Sequence, residues 1–262
     1  MLVLIKGAGD LATGSAIRLH RAGIQVVMTD IEQPTAVRRT VALCQCIYDG
    51  TTTVEGIAAR RAADAQEARA ILATGAIPVL VDPQAQILGQ LPFDGVVDAI
   101  LAKKNLNTSI TDAAVVIALG PGFTAGVDCH GVVETMRGHD LGRLLTEGSA
   151  IPDTGVPGII GGYARERIIR ASADGLFEPV ANIGDTVAEG DLVARVDGVP
   201  VYALMPGMVR GMLPAGLPVK QGMKAGDIDP RCEIRHCFTV SDKARAIAGG
   251  VLEGILMFAN KR

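Results

Sequence analysis

The first thirty residues constrain what this chain can fold into more than any other stretch. The apolar run Leu2-Val3-Leu4-Ile5 leads into a turn, Gly7-Ala8-Gly9, and a helical pattern begins at Asp10. Glycines let the backbone turn sharply and approach a phosphate, whose charge is stabilised by the amide groups at a helix N-terminus. A second apolar run ends near Asp30, about where dinucleotide-binding folds place an acid that binds a ribose hydroxyl. We therefore predict a nucleotide- or phosphate-binding site formed by Gly7, Gly9, Asp10 and Asp30.

A second glycine turn follows another apolar run. Residues 114–119 lead into Gly120-Pro121-Gly122, which we place at the carboxyl edge of a parallel sheet, where open α/β sheets bind ligands. We predict that Gly120 and Gly122 form the other wall of the pocket, with Arg137 binding a phosphate or carboxylate through its forked donors. Both glycine motifs have a structural alternative, because the same pattern also occurs in tight turns that bind nothing.

Reactive side chains are densest between Asp128 and Asp140. This stretch contains a thiol, two imidazoles, carboxylates and a guanidinium. His139 is suited to proton transfer near neutral pH, and Cys129 and Asp140 are the other catalytic candidates. Cys129 and His130 are not predicted to act as a pair, because neighbouring residues of a strand point apart. A surface loop held by ion pairs is the alternative interpretation.

Strands and helices alternate over roughly the first 165 residues. Residues 64–74 form a short amphipathic pattern with Asp64 as the predicted N-cap. The later apolar runs that indicate strands lie at 77–81, 96–102 and 114–119. Strands that alternate with helices favour a mostly parallel sheet with covered faces.

Residues 174–228 differ in kind, because glycine and proline recur every few residues between short β-branched runs. The motif Gly184-x-x-Val187-x-x-Gly190 is matched by Gly216-x-x-Val219-x-x-Gly222, and Asp197-Gly198 between them is a strong hairpin signal. This repeat resembles the barrel-sandwich fold of biotinyl and lipoyl carrier domains. The carriers have a lysine at the hairpin tip, where this chain has Asp197 and Gly198. We therefore expect no biotin or lipoate attachment.

The fold class predicted from these patterns is α/β. We expect a Rossmann-like, mostly parallel sheet domain at 1–168 and an inserted or appended small β barrel-sandwich module, biotinyl/lipoyl-like, at 169–232. A C-terminal strand and helix at 233–262 should pack back on the α/β domain. Ser241 is the predicted N-cap of this helix, whose apolar residues form one broad stripe.

The five cysteines, an odd number, favour a reducing compartment over a disulfide framework. Residues 40–48 are strand-like, which would point Cys44 and Cys46 to opposite faces, so that they could not easily share one metal. We predict no metal site. The weak candidates are Cys232, His236 and Cys237, which lack a second cysteine pair at zinc-ribbon spacing.

Composition argues against several classes of partner. The formal net charge is −3 without a long basic block, so the chain has no electrostatic footprint for nucleic acid. No run approaches the roughly 20 apolar residues of a membrane span. The first apolar run is also too short for a signal peptide. We expect a cytoplasmic protein that contacts neither membrane nor nucleic acid and that could form homo-oligomers.

Taken together, these motifs resemble the YqeB family, accessory proteins of the selenium-dependent molybdenum hydroxylase system. The resemblance covers nearly the full chain and is carried by KGAGDLATG at 6–14, RLHRAG at 18–23, RRTV at 38–41, ALGPGF at 118–123, ETMRGH at 134–139, GDIDPR at 226–231 and SDKARAI at 241–247. It implies maturation or cofactor loading of hydroxylases such as those acting on purines or nicotinate. The resemblance assigns no catalytic residues to this chain.

Two functions of different class follow. In the first, a maturation factor holds a nucleotide or a molybdopterin-type cofactor across the two glycine turns, with a molybdenum hydroxylase client or other maturation proteins as partners. In the second, an NAD-dependent oxidoreductase acts on a small molecule, with Asp30 on the ribose and His139 or Asp140 near the hydride acceptor. Asp30 would disfavour a 2′-phosphate, so a preference for NADH over NADPH distinguishes the second. The family resemblance favours the first, and whether the protein turns over a substrate is left open.

Overall fold

The computed structural model describes residues 1–155 and 158–260. Contacts between Cα atoms divide the chain into two units. The first unit comprises Met1–Pro34, Ala42–Thr154 and the residues from Val240 onward, and the second comprises Thr35–Val41 and Gly155–Thr239. The second unit therefore includes a short upstream segment that no sequence pattern assigned to it.

The first unit is built on a sheet of nine strands. They are β1 Leu2–Lys6, β2 Gln25–Asp30, β3 Thr51–Val54, β4 Ile57–Ala62, β5 Ile77–Val81, β6 Gly95–Asp98, β7 Val115–Leu119, β8 Gly131–Val133 and β9 Leu144–Leu145. Their spatial order is β3-β4-β5-β2-β1-β6-β7-β8-β9. Strands β6 and β7 are buried at every position, as expected for strands covered on both faces.

The sheet is mixed. Strands β4 to β8 in the spatial order pair in parallel, whereas β3 with β4 and β8 with β9 form antiparallel pairs at the two edges. Along the described chain, no helix lies between β6 and β9 to cross over the sheet. The predicted Rossmann-like domain is therefore wrong. Gly120, Pro121, Gly122 and Gly126 interrupt the helical periodicity that such crossovers need.

The described residues include five α-helices beside the sheets. They are α1 Asp10–Arg21, α2 Gln45–Asp49, α3 Ala65–Ala73, α4 Arg235–Phe238 and α5 Asp242–Ala259. Both N-cap predictions are confirmed, since Asp64 Oδ1 accepts from the Glu67 amide at 2.8 Å and Ser241 Oγ accepts from the Ala244 amide at 3.1 Å. Among the described residues, no helix is long and apolar enough to cross a membrane.

Helices α1 and α5 pack closely in the first unit. A Cβ atom on Gly14 of α1 would lie 2.9 Å from Ala244 Cβ of α5. That distance is too short for a real side chain, so the absence of one at Gly14 lets the two helices approach. Helix α1 is thereby fixed between β1 and α5, which determines where its N-terminus lies.

The second unit contains two antiparallel sheets of four strands each. Its strands are β10 Ile168–Arg170, β11 Gly175–Pro179, β12 Thr186–Val187, β13 Leu192–Val196, β14 Val199–Tyr202, β15 Gly207–Met212, β16 Pro218–Val219 and β17 Lys224–Asp229. The sheet orders are β10-β17-β15-β12 and β14-β13-β11-β16. We predicted a single biotinyl/lipoyl-like barrel-sandwich for this part of the chain. That prediction is wrong, because the strands form two separate antiparallel sheets.

The predicted hairpin at Asp197-Gly198 is confirmed. Both residues have positive φ, 45° and 81°, and Val196 pairs directly with Val199. The two copies of the repeated motif also form equivalent local structures, since Val187 and Val219 each lie buried in a two-residue strand. Positive φ at the flanking glycines explains why the motif needs glycine at those positions.

The predicted strand at 40–48 is wrong. Residues 45–49 form α2, and the backbone before it is bonded to loop and helix atoms instead of a neighbouring strand. The Leu43 amide donates to Thr13 Oγ1 at 2.8 Å, and the Cys44 amide donates to Ala8 O at 2.9 Å. Cys44 and Cys46 are both buried, neither forms a disulfide with another described residue, and burial raises the pKa of Cys46 to about 12.

Candidate functional site

The first glycine turn lies at the carboxyl end of β1. Gly7 has a φ of 91°, which glycine adopts without steric cost, and its amide donates to Thr29 O at 2.8 Å. A Cβ atom at Gly7 would lie 2.7 Å from Ala99 O. At this point the backbone passes too close to the chain after β6 for any larger residue.

The turn leads directly into helix α1. Gly9 precedes the helix and has no side chain with which to cap it. The first amide groups of an α-helix have no intrahelical acceptor, and the helix dipole makes this end electropositive. Asp10 places a carboxylate in the first helical turn. The backbone at this end can therefore donate hydrogen bonds to an anion.

Asp30 ends β2 and supports the same turn. Its Oδ2 accepts a hydrogen bond from the Ala8 amide at 2.8 Å, and its Oδ1 accepts one from the Ile31 amide at 2.8 Å. Burial raises the pKa of this carboxyl, and the two hydrogen bonds partly offset that increase. A carboxylate oxygen has a second lone pair. Asp30 can therefore hold the turn and still accept a hydrogen bond from a hydroxyl.

A buried polar network begins at the end of β1. Lys6 is 1% exposed, and its Nζ donates to Asn107 O at 2.8 Å and to Thr108 Oγ1 at 2.6 Å. Thr108 Oγ1 in turn donates to Asp98 Oδ2 at 2.6 Å, and Asp112 Oδ2 lies 3.9 Å from the amine. Burial lowers the pKa of Lys6 and raises that of Asp98. The network attaches the loop after β6 to the ends of β1 and β6.

The second glycine turn follows β7. Gly120 has a φ of 74°, and a Cβ atom there would lie 2.6 Å from Thr135 Oγ1. Gly122 has a φ of 106°, and a Cβ atom there would lie 2.6 Å from both the nitrogen and the Cα of Lys104. This turn therefore packs directly on the backbone of Lys103 and Lys104.

Residues 99–104 connect the two glycine turns in space, since Ala99 lies against Gly7 and Lys104 lies against Gly122. Leu101 and Lys103 have φ values of 61° and 62°, which are uncommon for residues other than glycine. Within 1–155 and 158–260, the backbone amides of residues 101–104 donate no hydrogen bond. The Lys104 side chain is exposed. Backbone amides grouped in this way, together with a cation, suit an anionic ligand.

Cys129 and His130 lie in environments that suit a structural role better than a catalytic one. Cys129 is fully buried, and burial raises the pKa of its thiol to about 12. His130 Nδ1 accepts from the Val116 amide at 3.0 Å, and its ring lies 5.6 Å from that of Phe258. A thiol with so high a pKa is a poor nucleophile at neutral pH. The structure thus provides no activation for Cys129.

The connection between β8 and β9 holds the other candidates. Arg137 donates to both carboxylate oxygens of Asp242, at 2.8 and 3.0 Å, so it would have to exchange this partner to bind a ligand. Asp140 pairs with Arg143 at 3.0 Å, and His139 is exposed. These residues lie in a surface turn, apart in sequence and sheet position from the turn at Gly7.

The weak metal candidates do not form a site. Cys232 is exposed, whereas Cys237 is buried with its Sγ 3.6 Å from Val209 O. His236 Nδ1 lies 3.8 Å from Asp229 Oδ2. Over the described part of the chain, no group of three or more His, Cys, Asp or Glu side chains could hold a metal ion.

Sequence reasoning missed the residues that organise the edge of the sheet. Lys6, Asp98 and Thr108 form the buried network, and Leu101 shapes the loop between the turns. One signal was available, because Lys6 and Asp98 are charged residues that directly end apolar strands. The partners of Lys6 lie about a hundred positions away, which no local pattern indicates, and Asp98 accepts its hydrogen bond from Thr108, ten positions further along the chain.

No protein-family profile matches this chain. It is 51% identical over 260 residues to a protein of Escherichia coli (strain K12) named uncharacterized protein YqeB. The alignment covers 99% of this chain and 48% of that protein, so the chain spans about half the length of the curated relative. This similarity supports the resemblance to the YqeB family, whose name carries no activity.

Two solved structures show a remote likeness. An aspartoacylase family protein from Mesorhizobium loti is 13% identical with a TM-score of 0.29, and a succinylglutamate desuccinylase from Silicibacter sp. TM1040 is 15% identical with a TM-score of 0.26. Each alignment covers 87% of this chain and 84% of the other. Values this low support no inference about activity.

Proposed function

We propose, from the premise that this chain is a relative of YqeB, that it is an accessory or maturation protein for selenium-dependent molybdenum hydroxylases. In this role it binds a nucleotide or a molybdopterin-type cofactor at the glycine turns of the first unit. The proposal that a ligand binds here rests on the Gly7 turn, which connects β1 to the N-terminus of α1, where no side chain caps the helix. Both ligand classes bear phosphate, the group that such an end binds best.

The residues present fit a phosphate-bearing group. The α1 amides would bind one phosphate, and Gly7 would let the ligand approach the backbone. The free amides of residues 101–104 and the Lys104 ammonium would bind further oxygens. Asp30 would orient a ribose or other hydroxyl group while it continues to hold the Ala8 amide. The cofactor supplies any redox chemistry, and this chain binds and orients it.

An NAD-dependent oxidoreductase acting on a small molecule is the second candidate. Asp30 favours it, because an acid at the end of β2 beside a glycine turn is where a nicotinamide dinucleotide would place its ribose. The geometry around His139 and Asp140 adds nothing to this candidate, since both lie in a surface turn.

A ligand panel tests the binding proposal. The purified chain is titrated calorimetrically with NADH, NADPH, adenine and guanine nucleotides, and molybdopterin with its dinucleotide forms. Tight binding of a molybdopterin form with the nicotinamides silent supports the maturation role. Binding of NADH alone supports the oxidoreductase, and binding of none of these ligands overturns both.

Matched variants locate the ligand. Lys104→Ala should weaken binding by at least about tenfold, because it removes an exposed cation beside the free amides; tenfold corresponds to about 1.4 kcal/mol. Arg60→Ala, which removes an exposed cation from β4, should bind as the parent does. Equal affinities in the two variants would place the ligand elsewhere.

The cellular role needs a separate test. In a host that makes a selenium-dependent molybdenum hydroxylase, deleting the gene for this chain should lower hydroxylase activity without lowering the amount of hydroxylase protein. Unchanged specific activity would overturn the maturation role even if a cofactor binds.

A further inference from the structure

Arg210 is placed by an irregularity in the second unit. Strands β15 and β17 pair at Val209 with Ile228 and at Gly211 with Asp227, which leaves Arg210 as the extra residue of a β-bulge. A bulge turns one side chain away from the regular alternation of its strand and recurs next to binding sites. The bulge therefore determines the position of the Arg210 side chain.

That position is a buried cluster of charged groups. Asp227 is held by Arg167, whose Nη2 donates to its two oxygens at 3.1 and 3.2 Å. Asp229 is held by Arg231, whose Nε and Nη2 donate at 2.9 and 2.6 Å. Each carboxylate thus already has a guanidinium partner in hydrogen-bonding contact. Arg210 is a third guanidinium beside two carboxylates.

Arg210 makes ion pairs with both carboxylates but hydrogen bonds with neither. Its Nη1 lies 3.8 Å from Asp227 Oδ2 and its Nε lies 3.7 Å from Asp229 Oδ2, both beyond hydrogen-bonding distance. Its side chain makes one hydrogen bond to the described residues, from Nε to His236 O at 3.3 Å. Within the described residues, neither Nη atom donates a hydrogen bond, although the side chain is only 8% exposed.

His236 adds a second open position to the cluster. Its Nδ1 is buried and has no hydrogen-bond partner among the described residues, and it lies 3.8 Å from Asp229 Oδ2. Burial, together with the charge of Arg231, lowers the pKa of His236. In the tautomer that carries its proton on Nδ1, the ring donates toward the cluster.

Buried polar atoms without a hydrogen-bond partner are rare in folded proteins, and one such atom of the described residues, His236 Nδ1, belongs to this cluster, which calls for a water, an ion or a ligand there. Arg167, Arg210 and Arg231 share two carboxylates, so a neutral water would accept a hydrogen bond but would leave an excess of one positive charge in the cluster. An oxyanion satisfies the donors and the charge together, because a guanidinium fork matches the oxygen spacing of carboxylate and phosphate.

We propose that the second unit binds a small oxyanion, a phosphate-type or carboxylate group, on the Nη atoms of Arg210 with His236 Nδ1 as a further donor. This site lies in the second unit and does not depend on the cofactor site proposed for the first. It takes either a free anion or the anionic end of a larger metabolite. The other guanidinium groups keep Asp227 and Asp229 neutralised so that these carboxylates do not repel it.

Calorimetric titration of the whole chain with inorganic phosphate, sulfate and acetate tests the proposal, with sodium chloride at matched ionic strength as the blank. Saturable binding of one oxyanion per chain is expected, and the comparison of sulfate with acetate separates a tetrahedral from a planar preference. Heats that match the chloride blank for all three anions would overturn the site.

Two variants assign the binding to Arg210. Arg210→Gln should weaken oxyanion binding by at least about tenfold, whereas Arg195→Gln, which removes an exposed guanidinium from β13, should not change it. Lys104→Ala should leave the Arg210-dependent part of the binding unchanged, although binding of any phosphate at the first-unit glycine turns should be weakened. Binding that survives Arg210→Gln but is lost in Lys104→Ala would place the anion in the first unit and overturn the proposal.

A further variant keeps the test decisive if Arg210→Gln does not fold. His236→Phe removes the Nδ1 donor from a partly exposed ring of similar shape. It should weaken oxyanion binding several-fold while leaving the melting temperature without anion close to that of the parent. Undiminished binding in a folded His236→Phe chain would contradict the donor set proposed here.

Discussion

The Oδ2 atom of Asp30 lies 2.8 Å from the Ala8 nitrogen and accepts a hydrogen bond from that amide. This contact joins the end of β2 to the glycine turn after β1. Ala8 is fully buried, so its amide has no access to water as an alternative acceptor. The acid expected to bind a ligand hydroxyl is thus also part of what shapes the turn.

Asp30→Ala should lower the free energy of unfolding by about 1–3 kcal/mol, because it leaves the buried Ala8 amide without an acceptor. Asp30→Asn should cost clearly less, since its amide oxygen can still accept that hydrogen bond. Urea unfolding of the two variants measures the difference. Equal losses would show that the charge of Asp30 matters more than the hydrogen bond.

Gly122→Ala should destabilise the protein more than Gly126→Ala. Both glycines have positive φ, 106° and 82°, so both substitutions carry a conformational cost of about 1–2 kcal/mol. Only at Gly122 would the new Cβ atom also meet the Lys104 backbone, whereas Gly126 has open space around it. Thermal unfolding of the pair isolates the effect of close packing, and matching melting temperatures would contradict the contact with Lys104.

Cys232 should be the thiol that reacts first in the native protein. It is exposed, whereas the other four cysteines are buried, and burial raises the pKa of Cys46 and Cys129 to about 12. A disulfide reagent at pH 8 should therefore titrate about one thiol quickly and the remainder only on unfolding. Cys232→Ser should abolish the fast phase. Rapid labelling of Cys129, identified by peptide mapping, would revive it as a catalytic candidate.

Stability should depend on Asp229 at low pH. Burial alone would raise the pKa of this carboxyl, but the hydrogen bonds and charge of Arg231, with the charge of Arg210, outweigh burial and lower it to about 2. A depressed folded-state pKa means that the stabilisation is complete above the ordinary value of 3.8 and is lost as the pH falls through about 2.

The size of this effect is at most about 2–3 kcal/mol, because the folded-state pKa of about 2 lies nearly two units below the ordinary 3.8 and one pKa unit corresponds to about 1.36 kcal/mol. Denaturant unfolding between pH 5 and pH 2 measures it. The curve for Asp229→Asn should start lower and fall less steeply than that of the parent. Parallel curves for the two proteins would show that Asp229 is not held by the arginines in the native state.

Much of the local structure could be predicted because it depends on neighbouring residues. The Asp64 and Ser241 caps and the Asp197-Gly198 hairpin are each determined by the conformational preferences of a few adjacent residues. The strand predicted at 40–48 failed for the opposite reason. There the partners that satisfy the backbone are Ala8 O and Thr13 Oγ1, some thirty residues upstream, and periodicity alone does not reveal them.

The candidate site likewise contains some features that the sequence predicted and others that it did not. The two glycine turns were visible as motifs after apolar runs, and the structure places each at the end of its strand. Loop 99–104, which connects them, has no glycine motif, and it is held by the contacts of its backbone with Gly7 and Gly122 and by the hydrogen bond from the Ala99 amide to Lys6 O. His139 and Asp140 were proposed as catalytic candidates only because reactive side chains are concentrated in that stretch of the sequence. Residues that are close in sequence do not necessarily share a pocket.

The sequence by itself determined where the chain turns, which helices are capped and which runs are buried, because these properties depend on side chains within a few positions. Tertiary structure alone decided the mixed order of the sheet, the network of Lys6 with Thr108, and the placement of Arg210 beside Asp227 and Asp229. Those features depend on strand pairing and on charges that meet only after burial. Their energies come from desolvation and from partners far apart in the chain, which composition and periodicity do not encode.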